Sequence, residues 1–268
     1  MSTRSLWVVV MLFATLLVGC RSAPEKDDTP LTEQHRLAAR AGNMEKARAL
    51  EDSILARAGG DLATYQGLRK SYAFAGRFED ARRVMQRALT AMPNLSEADQ
   101  AQVHRLMAAD SFAQGDNESA ITEFEIAFGM APEDPQVLND FAFFLVDTGK
   151  DIPRGLELAR KAVAARPDRP EARDTLGWAL CKAGRYREAV SELERALELY
   201  PDNSEILLHL GVALEGMGDK PAAVKHLVRC LETARPSDAS RKAAAERLLK
   251  LDPKTYSKAT SVMGGDTR

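Results

Sequence analysis

Apolar and small residues recur along most of this chain in a pattern of nearly constant period. When the sequence is shifted by 34 positions against itself, Leu176-Gly177 falls on Leu210-Gly211 and Leu180 falls on Leu214. Three further pairs match at this offset: Gly184 with Gly218, Ala189 with Ala223, and Leu193 with Leu227. A fixed period of this length is typical of repeat proteins, in which each unit buries its apolar face against its neighbours.

Residues of the same kinds recur at similar intervals toward the amino terminus. A small residue recurs at Ala47, Ala81, Ala120, Gly155, Ala189 and Ala223, so the successive steps are 34, 39, 35, 34 and 34. Glycines keep the spacing at positions 42, 76, 115, 149, 184 and 218, and prolines close the units at 93, 132, 167, 201 and 236. We therefore predict about six units, 28–61, 62–95, 101–134, 135–169, 170–203 and 204–237, which make up a repeat domain over 31–237, with Ser96–Gln100 as an insertion.

Each unit is predicted to be a pair of helices, because apolar residues recur at steps of three and four between glycine and proline. Gly184 has no Cβ, so it can end a first helix in the left-handed conformation. Pro201 lacks an N–H and stops the second helix, after which Asn203 or Ser204 can cap the next. The predicted fold class is all-α.

The segment LGWALCKAGRYREAVSELERALELYP, Leu176 to Pro201, resembles the tetratricopeptide repeat (TPR) family. The resemblance implies a right-handed solenoid of helix-turn-helix units that binds peptides or proteins along a concave groove lined by the first helices. The first unit keeps Gly42 and Ala47 but has Gln34-His35 where the others place an apolar-small pair. It is predicted to be an irregular amino-terminal cap.

The last unit of a solenoid leaves one apolar face open, and an amphipathic helix after Pro236 would cover it. We predict such a capping helix over 238–252, with Leu248, Leu249 and Leu251 toward one side. The remaining residues, 253–268, are predicted to be a flexible tail.

The amino terminus has the pattern of a targeting segment. Leu6 to Val18 is almost entirely apolar, but about 13 residues form a helix of only roughly 20 Å, short of the ~30 Å hydrocarbon core of a bilayer. This is typical of the apolar region of a secretory signal. We predict a signal peptide over 1–19.

The end of that segment, Leu17-Val18-Gly19-Cys20, resembles the lipobox of bacterial lipoproteins. The resemblance implies cleavage before Cys20, acylation of that cysteine with fatty chains such as palmitate, and a tether over 20–30. Three acyl chains hold a protein firmly on a membrane, whereas one chain gives only marginal binding. Arg21 in place of an aspartate implies, in a Gram-negative bacterium, an outer membrane lipoprotein facing the periplasm. The alternatives are a secretory signal cut elsewhere and an uncleaved anchor.

Composition and motifs exclude several function classes. Lys and Arg number 37 against 39 Asp and Glu, so the excess of positive charge typical of nucleic-acid binding is missing. The three cysteines form no CxxC pair, the four histidines lack metal-ligand spacing, and no GxSxG, HExxH or P-loop motif occurs. Cys230 takes the place that Ala196 has one unit earlier, which favours a packing role. We predict a protein that is not an enzyme and takes no cofactor or metal.

The repeat register predicts which side chains of the first helices face the groove. They are Lys70, Phe74, Arg105, Ala109, Phe112, Asn139, Phe143, Val146, Asp174, Trp178, Lys182, Leu208, Val212 and Glu215. Phe143 and Trp178 are equivalent at an offset of 35, and Val212 follows at 34, so they predict an apolar strip. The alternative is that these aromatic residues pack against neighbouring helices. Phe141, Phe144 and Leu145 are predicted to be core.

Two functional hypotheses follow. The first is a lipid-anchored scaffold or assembly factor that binds an envelope protein through the groove; in unit count, anchor and length it resembles the pilotins of type IV pili, which act in secretin assembly. The second is an accessory or regulatory subunit of a cell-envelope enzyme, such as a peptidoglycan hydrolase or a polysaccharide export complex. A purely structural spacer is a third. The groove lacks the Lys and Arg ladder that would grip a partner's carboxyl terminus.

Overall fold

The computed structural model describes residues 30–235 and 238–264. Within these ranges the chain forms fourteen helices and no strand. The helices are α1 (Leu31–Arg40), α2 (Met44–Ala58), α3 (Leu62–Phe74), α4 (Phe78–Ala91), α5 (Glu97–Gln114), α6 (Asn117–Met130), α7 (Pro135–Asp147), α8 (Ile152–Ala165), α9 (Pro170–Lys182), α10 (Tyr186–Leu199), α11 (Ser204–Met217), α12 (Lys220–Thr233), α13 (Ala239–Leu251) and α14 (Pro253–Gly264).

The first twelve helices form six successive hairpins, each with its two helices packed together. The first helices α1 and α3 pack against each other. From α5 onward the first helix of each hairpin also packs against the first helix of the next, so α5, α7, α9, α11 and α13 form one wall. The predicted all-α solenoid of helix-turn-helix units is confirmed. The wall of first helices is the surface on which the groove was predicted.

Local sequence explains where the helices begin and end. Asn203 caps α11, because its Oδ1 accepts hydrogen bonds from the backbone N–H groups of Glu205 and Ile206 at 2.9 and 3.1 Å. Gly184 follows α9 with φ of +76°, the left-handed conformation predicted for it. Both cap predictions are confirmed.

The predicted core residues Phe141, Phe144 and Leu145 are buried. The Phe124 ring of α6 stacks on Phe141, with centroids 5.4 Å apart. At Gly177 the two helices of a hairpin approach so closely that an added Cβ would lie 2.5 Å from Leu193 Cγ. The repeating pattern therefore includes a glycine because the second helix occupies the space that a side chain would need.

The structure places the predicted insertion inside a helix and corrects the prediction of a flexible tail. Ser96–Gln100, expected as an insertion, begins α5: Ser96 Oγ accepts a hydrogen bond from the Asp99 N–H at 3.1 Å, and the helix continues for 18 residues. The segment after Leu251, expected as a flexible tail, is helical as α14 up to Gly264. Tyr256 of α14 packs against the apolar cluster that contains Leu248, which explains why this segment is ordered.

Helix α13 lies where the capping helix was predicted. It buries Ala244 and Leu248 against α11 and α12. Leu249 is the exception, because it is about half exposed on the other side of the helix. The signal segment 1–19, the lipidation site Cys20 and the tether up to residue 29 lie outside the described residues. Among the helices that the structure describes, none is both long and apolar enough to cross a bilayer.

Candidate protein-binding groove

Two adjoining cavities lie along the wall of first helices, and together we call them the groove. The larger, of about 970 Å³, extends from α7 to α13 and is lined by Asp147, Trp178, His209, Val212 and Arg247 among others. The smaller, of about 340 Å³, extends from α5 to α11 and is lined by Ala109, Phe112, Asn139, Asp174 and Ile206 among others. Phe143, Asn203 and Glu205 line both cavities, so the surface is continuous.

Most of the predicted groove residues from α5 onward line these cavities. They are Ala109, Phe112, Asn139, Phe143, Asp174, Trp178, Leu208 and Val212. Phe143 and Trp178 are half-buried, so their rings are neither sealed in the core nor fully exposed. The structure thus brings together the predicted apolar strip, and its role in binding stays a prediction.

Three predicted residues lie elsewhere. Val146 is wholly buried and packs against Gly155 of α8, so it belongs to the core. Lys70 and Phe74 are exposed on α3, and Phe74 keeps 66% of its surface. Neither lines the groove, because α3 packs in a separate apolar core with α1, α2 and α4. The register placed them correctly on a first helix, but the groove begins only at α5.

The three other predicted residues are charged and have internal partners. Arg105 is nearly buried and its Nη1 donates to Asp140 Oδ2 at 2.5 Å. Glu215 forms a 2.8 Å ion pair with Arg247. Lys182 Nζ donates to the backbone oxygen of Asp147 at 3.3 Å. These contacts join neighbouring units. Arg105 and Glu215 are therefore not free charges on the groove surface, whereas Lys182 is exposed and has no ionic partner among the described residues.

Trp178 is held in place from several sides. Its ring stacks on the imidazole of His209, with centroids 4.3 Å apart and planes 17° from parallel. Its Nε1–H donates to Asp147 Oδ1 at 3.2 Å, and Lys182 Nζ lies 4.9 Å from the ring centroid. The indole is therefore part of the groove wall rather than a free apolar face, whereas Phe143 contacts Phe112 edge-on at 6.2 Å.

His209 forms an internal ion pair with Asp174, at 2.8 Å between Nδ1 and Oδ1. Burial by itself would lower the pKa of His209, but the carboxylates of Asp174, Glu205 and Asp147 outweigh it and raise that pKa above the ordinary value. The pair therefore favours a protonated imidazole next to Trp178.

Sequence reasoning missed several side chains of the groove, among them Asp147, Glu205 and His209. A signal for His209 was available, because two complementary pairs, Arg105 with Asp140 and Asp174 with His209, each have a sequence separation of 35. At that separation a first-helix side chain meets the first helix of the next unit. Glu205 lies one repeat period after Glu171, and both line the smaller cavity. Asp147 has no comparable signal.

The two thiols in the described part of the chain, Cys181 and Cys230, are buried, free of disulfides and outside the groove. Burial raises the pKa of each thiol to about 11, which disfavours the nucleophilic thiolate. Within residues 30–235 and 238–264, no three His, Cys, Asp or Glu side chains are grouped as metal ligands would be.

Comparison with known sequences supports the repeat class. The family model described as tetratricopeptide repeat matches residues 175–239. "TPR repeat-containing protein PA4667" of Pseudomonas aeruginosa is 33% identical over 101 residues, which is 37% of this chain and 17% of that protein. The human "Protein O-mannosyl-transferase TMTC1" is 28% identical over 103 residues, which is 37% of this chain and 12% of that protein. The chain thus spans less than a fifth of the curated relatives it matches.

Solved structures share the fold over most of the chain. The structure described as "PilW, widely conserved type IV pilus biogenesis factor" superposes with a TM-score of 0.61 at 16% identity, covering 75% of this chain and 91% of that one. TTC0263, described as a thermophilic TPR protein in Thermus thermophilus, superposes with a TM-score of 0.58 at 20% identity, covering 70% and 98%. The protein is therefore an all-α solenoid with the TPR fold.

Proposed function

We propose that this chain is a lipid-anchored TPR scaffold that binds another protein of the cell envelope along its groove. The observation that carries the proposal is the continuous surface from α5 to α13, in which the half-buried Phe143 ring lines both cavities. A ring in this position is accessible to a partner, and each large apolar side chain that a partner covers fully contributes about 1.5–3 kcal/mol. The ion pairs of Arg105, Asp174 and Glu215 join neighbouring helices of the surrounding wall.

A photo-crosslinking phenylalanine analogue at position 143, introduced in living cells, tests the groove directly. Capture of an envelope protein by this variant, and not by the same analogue at position 74, supports the proposal. Phe74 is a matched control because it is an exposed phenylalanine of a first helix outside the groove. Capture of a peptidoglycan hydrolase or a polysaccharide export component would favour the accessory-subunit hypothesis.

A substitution at the same position provides the loss-of-binding test. Phe143→Ser is expected to abolish co-purification of the captured partner and to leave the helical circular dichroism signal intact, whereas Phe74→Ser keeps both. Trp178 is a poorer site for this test, because its removal also disturbs His209 and Asp147. Partner binding that survives Phe143→Ser would contradict the groove assignment.

The anchor is proposed from Cys20 and the apolar segment before it. We propose that the acylated cysteine holds the solenoid on the periplasmic face of the outer membrane. Cys20→Ser is expected to move the protein from the membrane fraction to the soluble periplasmic fraction. A variant that stays in the membrane fraction would contradict lipid anchoring through this residue.

The proposed process is type IV pilus or secretin biogenesis. It is supported by the fold shared with PilW, described as a pilus biogenesis factor, together with the predicted anchor and the six units. Deletion of the gene in its native bacterium is expected to reduce secretin multimers and surface pili. If secretin multimers and pili are unchanged, the proposed role in pilus or secretin biogenesis is wrong. The scaffold proposal would then apply to another envelope assembly.

A further inference from the structure

Most charged side chains of the groove are neutralised inside the protein. Among the carboxylates, Asp140 pairs with Arg105 at 2.5 Å, Asp174 with His209 at 2.8 Å, and Asp202 with Arg229 at 2.8 Å. At the carboxyl-terminal end, Asp238 pairs with Arg235 at 3.1 Å, and the Arg247 guanidinium pairs with Glu215 at 2.8 Å. The charges that remain without a partner are therefore the ones available to a ligand.

Glu205 stands out from this set. Its side chain makes no hydrogen bond and no ion pair with any residue in the described part of the chain, although Glu205, like Phe143, lines both cavities. It is exposed to solvent yet surrounded by the concave wall. Desolvation raises the pKa of its carboxyl, and although the nearby His209 lowers that pKa, Asp174 and Asp147 raise it, so the net shift is upward. A carboxylate in such surroundings is stabilised by a cation brought by a ligand.

A second carboxylate reaches the same cavity from the equivalent position of the preceding unit. Glu171 lies in the first turn of α9, as Glu205 does in the first turn of α11, and both line the smaller cavity. The partner of Glu171 is Arg169, at 3.6 Å with both side chains at least half exposed, which makes a weak pair. The helix dipole favours a carboxylate in a first turn, but it does not explain why both carboxylates face a cavity with phenylalanine walls.

Resting on the proposed groove function, we infer that the partner enters the groove as an extended segment with a lysine or arginine side chain that pairs with Glu205. The aliphatic stem of such a side chain lies against the Phe143 and Phe112 rings while its charged end meets the carboxylate. An arginine also gains from stacking on an aromatic ring. An acidic segment is disfavoured, because its carboxylates would approach Glu205 and Glu171.

The test uses the full chain in detergent and a positional-scanning library of acetylated, amidated nonapeptides, with Phe143→Ser as the reference for groove binding. Blocked termini remove charges other than those of side chains. The protein is expected to select peptides with Lys or Arg at one position, and Glu205→Gln to weaken the best lysine peptide about fivefold. The norleucine version of that peptide is expected to bind wild type and Glu205→Gln equally.

Glu194→Gln is the matched control, because Glu194 is exposed on α10, outside the groove, and has no ionic partner among the described residues. It is expected to keep the preference for basic peptides, whereas Glu205→Lys is expected to reverse it toward acidic ones. Peptides that bind only when Phe143 is present, but show no basic preference or keep it in Glu205→Gln, would overturn this inference and leave the groove function in place. Failure to select any Phe143-dependent peptide would overturn both.

Discussion

The first two hairpins and the later ones have the same helix-turn-helix geometry but are stabilised differently. The core of α1–α4 encloses a buried carboxylate: Glu51 is 1% exposed and accepts hydrogen bonds from Tyr72, Arg83 and Arg87 at 2.6–3.0 Å. From α5 to α12 one continuous apolar core contains three phenylalanine rings stacked or tilted at 5.3–5.4 Å, from Phe124, Phe141 and Phe144.

The two regions also differ in the surface that their first helices form. In the first region α1 packs against α3, whereas α5, α7, α9, α11 and α13 pack successively into the longer wall that carries the groove cavities. Between the two regions, the carboxylate of Asp110 accepts two hydrogen bonds from Arg69, at 2.6 and 2.9 Å, and Met85 of α4 packs with Val103 and Met107 of α5. Charged hydrogen bonds and apolar contacts thus join the two regions at the place where the repeat step lengthens from 34 to 39 residues.

The largest expected effect is the loss of the phenylalanine core. Phe144→Ala leaves a cavity between Phe112 and Phe124 and is expected to lower the free energy of unfolding by about 3–5 kcal/mol. Phe74→Ala, at an exposed position of the first region, is expected to change it by less than about 0.5 kcal/mol. Urea denaturation measures both, and equal losses would contradict the assignment of Phe144 to the core and Phe74 to the surface.

The second effect concerns the buried carboxylate of the first region. Glu51→Gln leaves Arg83 and Arg87 without a charged partner at that position, and it is expected to cost about 2 kcal/mol, since both guanidiniums are partly open to water. The neighbouring Asp52 is a suitable control, because it also pairs with Arg87 but is 66% exposed. Asp52→Asn is expected to cost less than about 0.5 kcal/mol in the same assay. A Glu51→Gln variant as stable as Asp52→Asn would show that the network adds no stability.

A smaller effect distinguishes how closely the helices pack in the two regions. Gly177→Ala places a methyl group 2.5 Å from Leu193 Cγ and is expected to destabilise by about 1–2 kcal/mol despite the better helix propensity of alanine. Gly67→Ala in α3 meets no atom of the described residues within 4 Å and is expected to stabilise by up to about 1 kcal/mol. Thermal unfolding followed by circular dichroism shows whether each variant is more or less stable than the wild type. Stabilisation by Gly177→Ala would mean that α9 and α10 have room to separate.

The smallest effect is an opposite pH dependence of two buried histidines. Burial lowers the pKa of His35 in α1, so its unfolded form binds protons more readily, and α1–α4 lose stability as the pH falls below about 6.5. The pKa of His209 is raised despite burial because of Asp174, so its contribution is complete below about 6.5 and is lost as the pH rises through the folded-state pKa.

Hydrogen exchange of individual helices at pH 5.5 and 8, corrected for intrinsic rates, measures both contributions. His35→Leu is expected to remove the acid loss in α1–α4, and His209→Gln to remove the gain that α9 and α11 show in acid. Burial lowers the pKa of His226 in α12, so His226 contributes a loss of stability in acid that opposes this gain. The contribution of His209 is therefore measured as the difference between the wild type and His209→Gln. Protection patterns that neither variant changes would contradict both assignments.

Much of the fold could be predicted from spacing. The glycines and prolines give the hairpins to within a few residues, because caps and helix ends depend on a few neighbouring residues. Two segments could not be predicted in this way. Ser96 also caps a helix, so the apparent insertion lengthens α5, and α14 is ordered by a contact of Tyr256 that follows from its position beside Leu248.

The candidate site was predictable in outline. The strip of Phe143, Trp178 and Val212 follows from the register alone. The role of the charged residues does not, because whether Arg105 or Asp174 is free depends on a side chain of the next unit, at a sequence separation of 35. A periodic comparison aligns equivalent positions of successive units, whereas the pairs join positions that are not equivalent.

The order of the residues by itself determined that this chain forms stacked helical hairpins, since each hairpin depends on local caps and on small residues at a constant interval. Tertiary structure decided which side chains those hairpins leave available. It stacked Trp178 on His209, placed Val146 in the core and left Glu205 unpaired beside Phe143. The physical reason is that burial and ion pairing arise between units, where the distance between atoms of different helices, and not their separation along the chain, sets the energy.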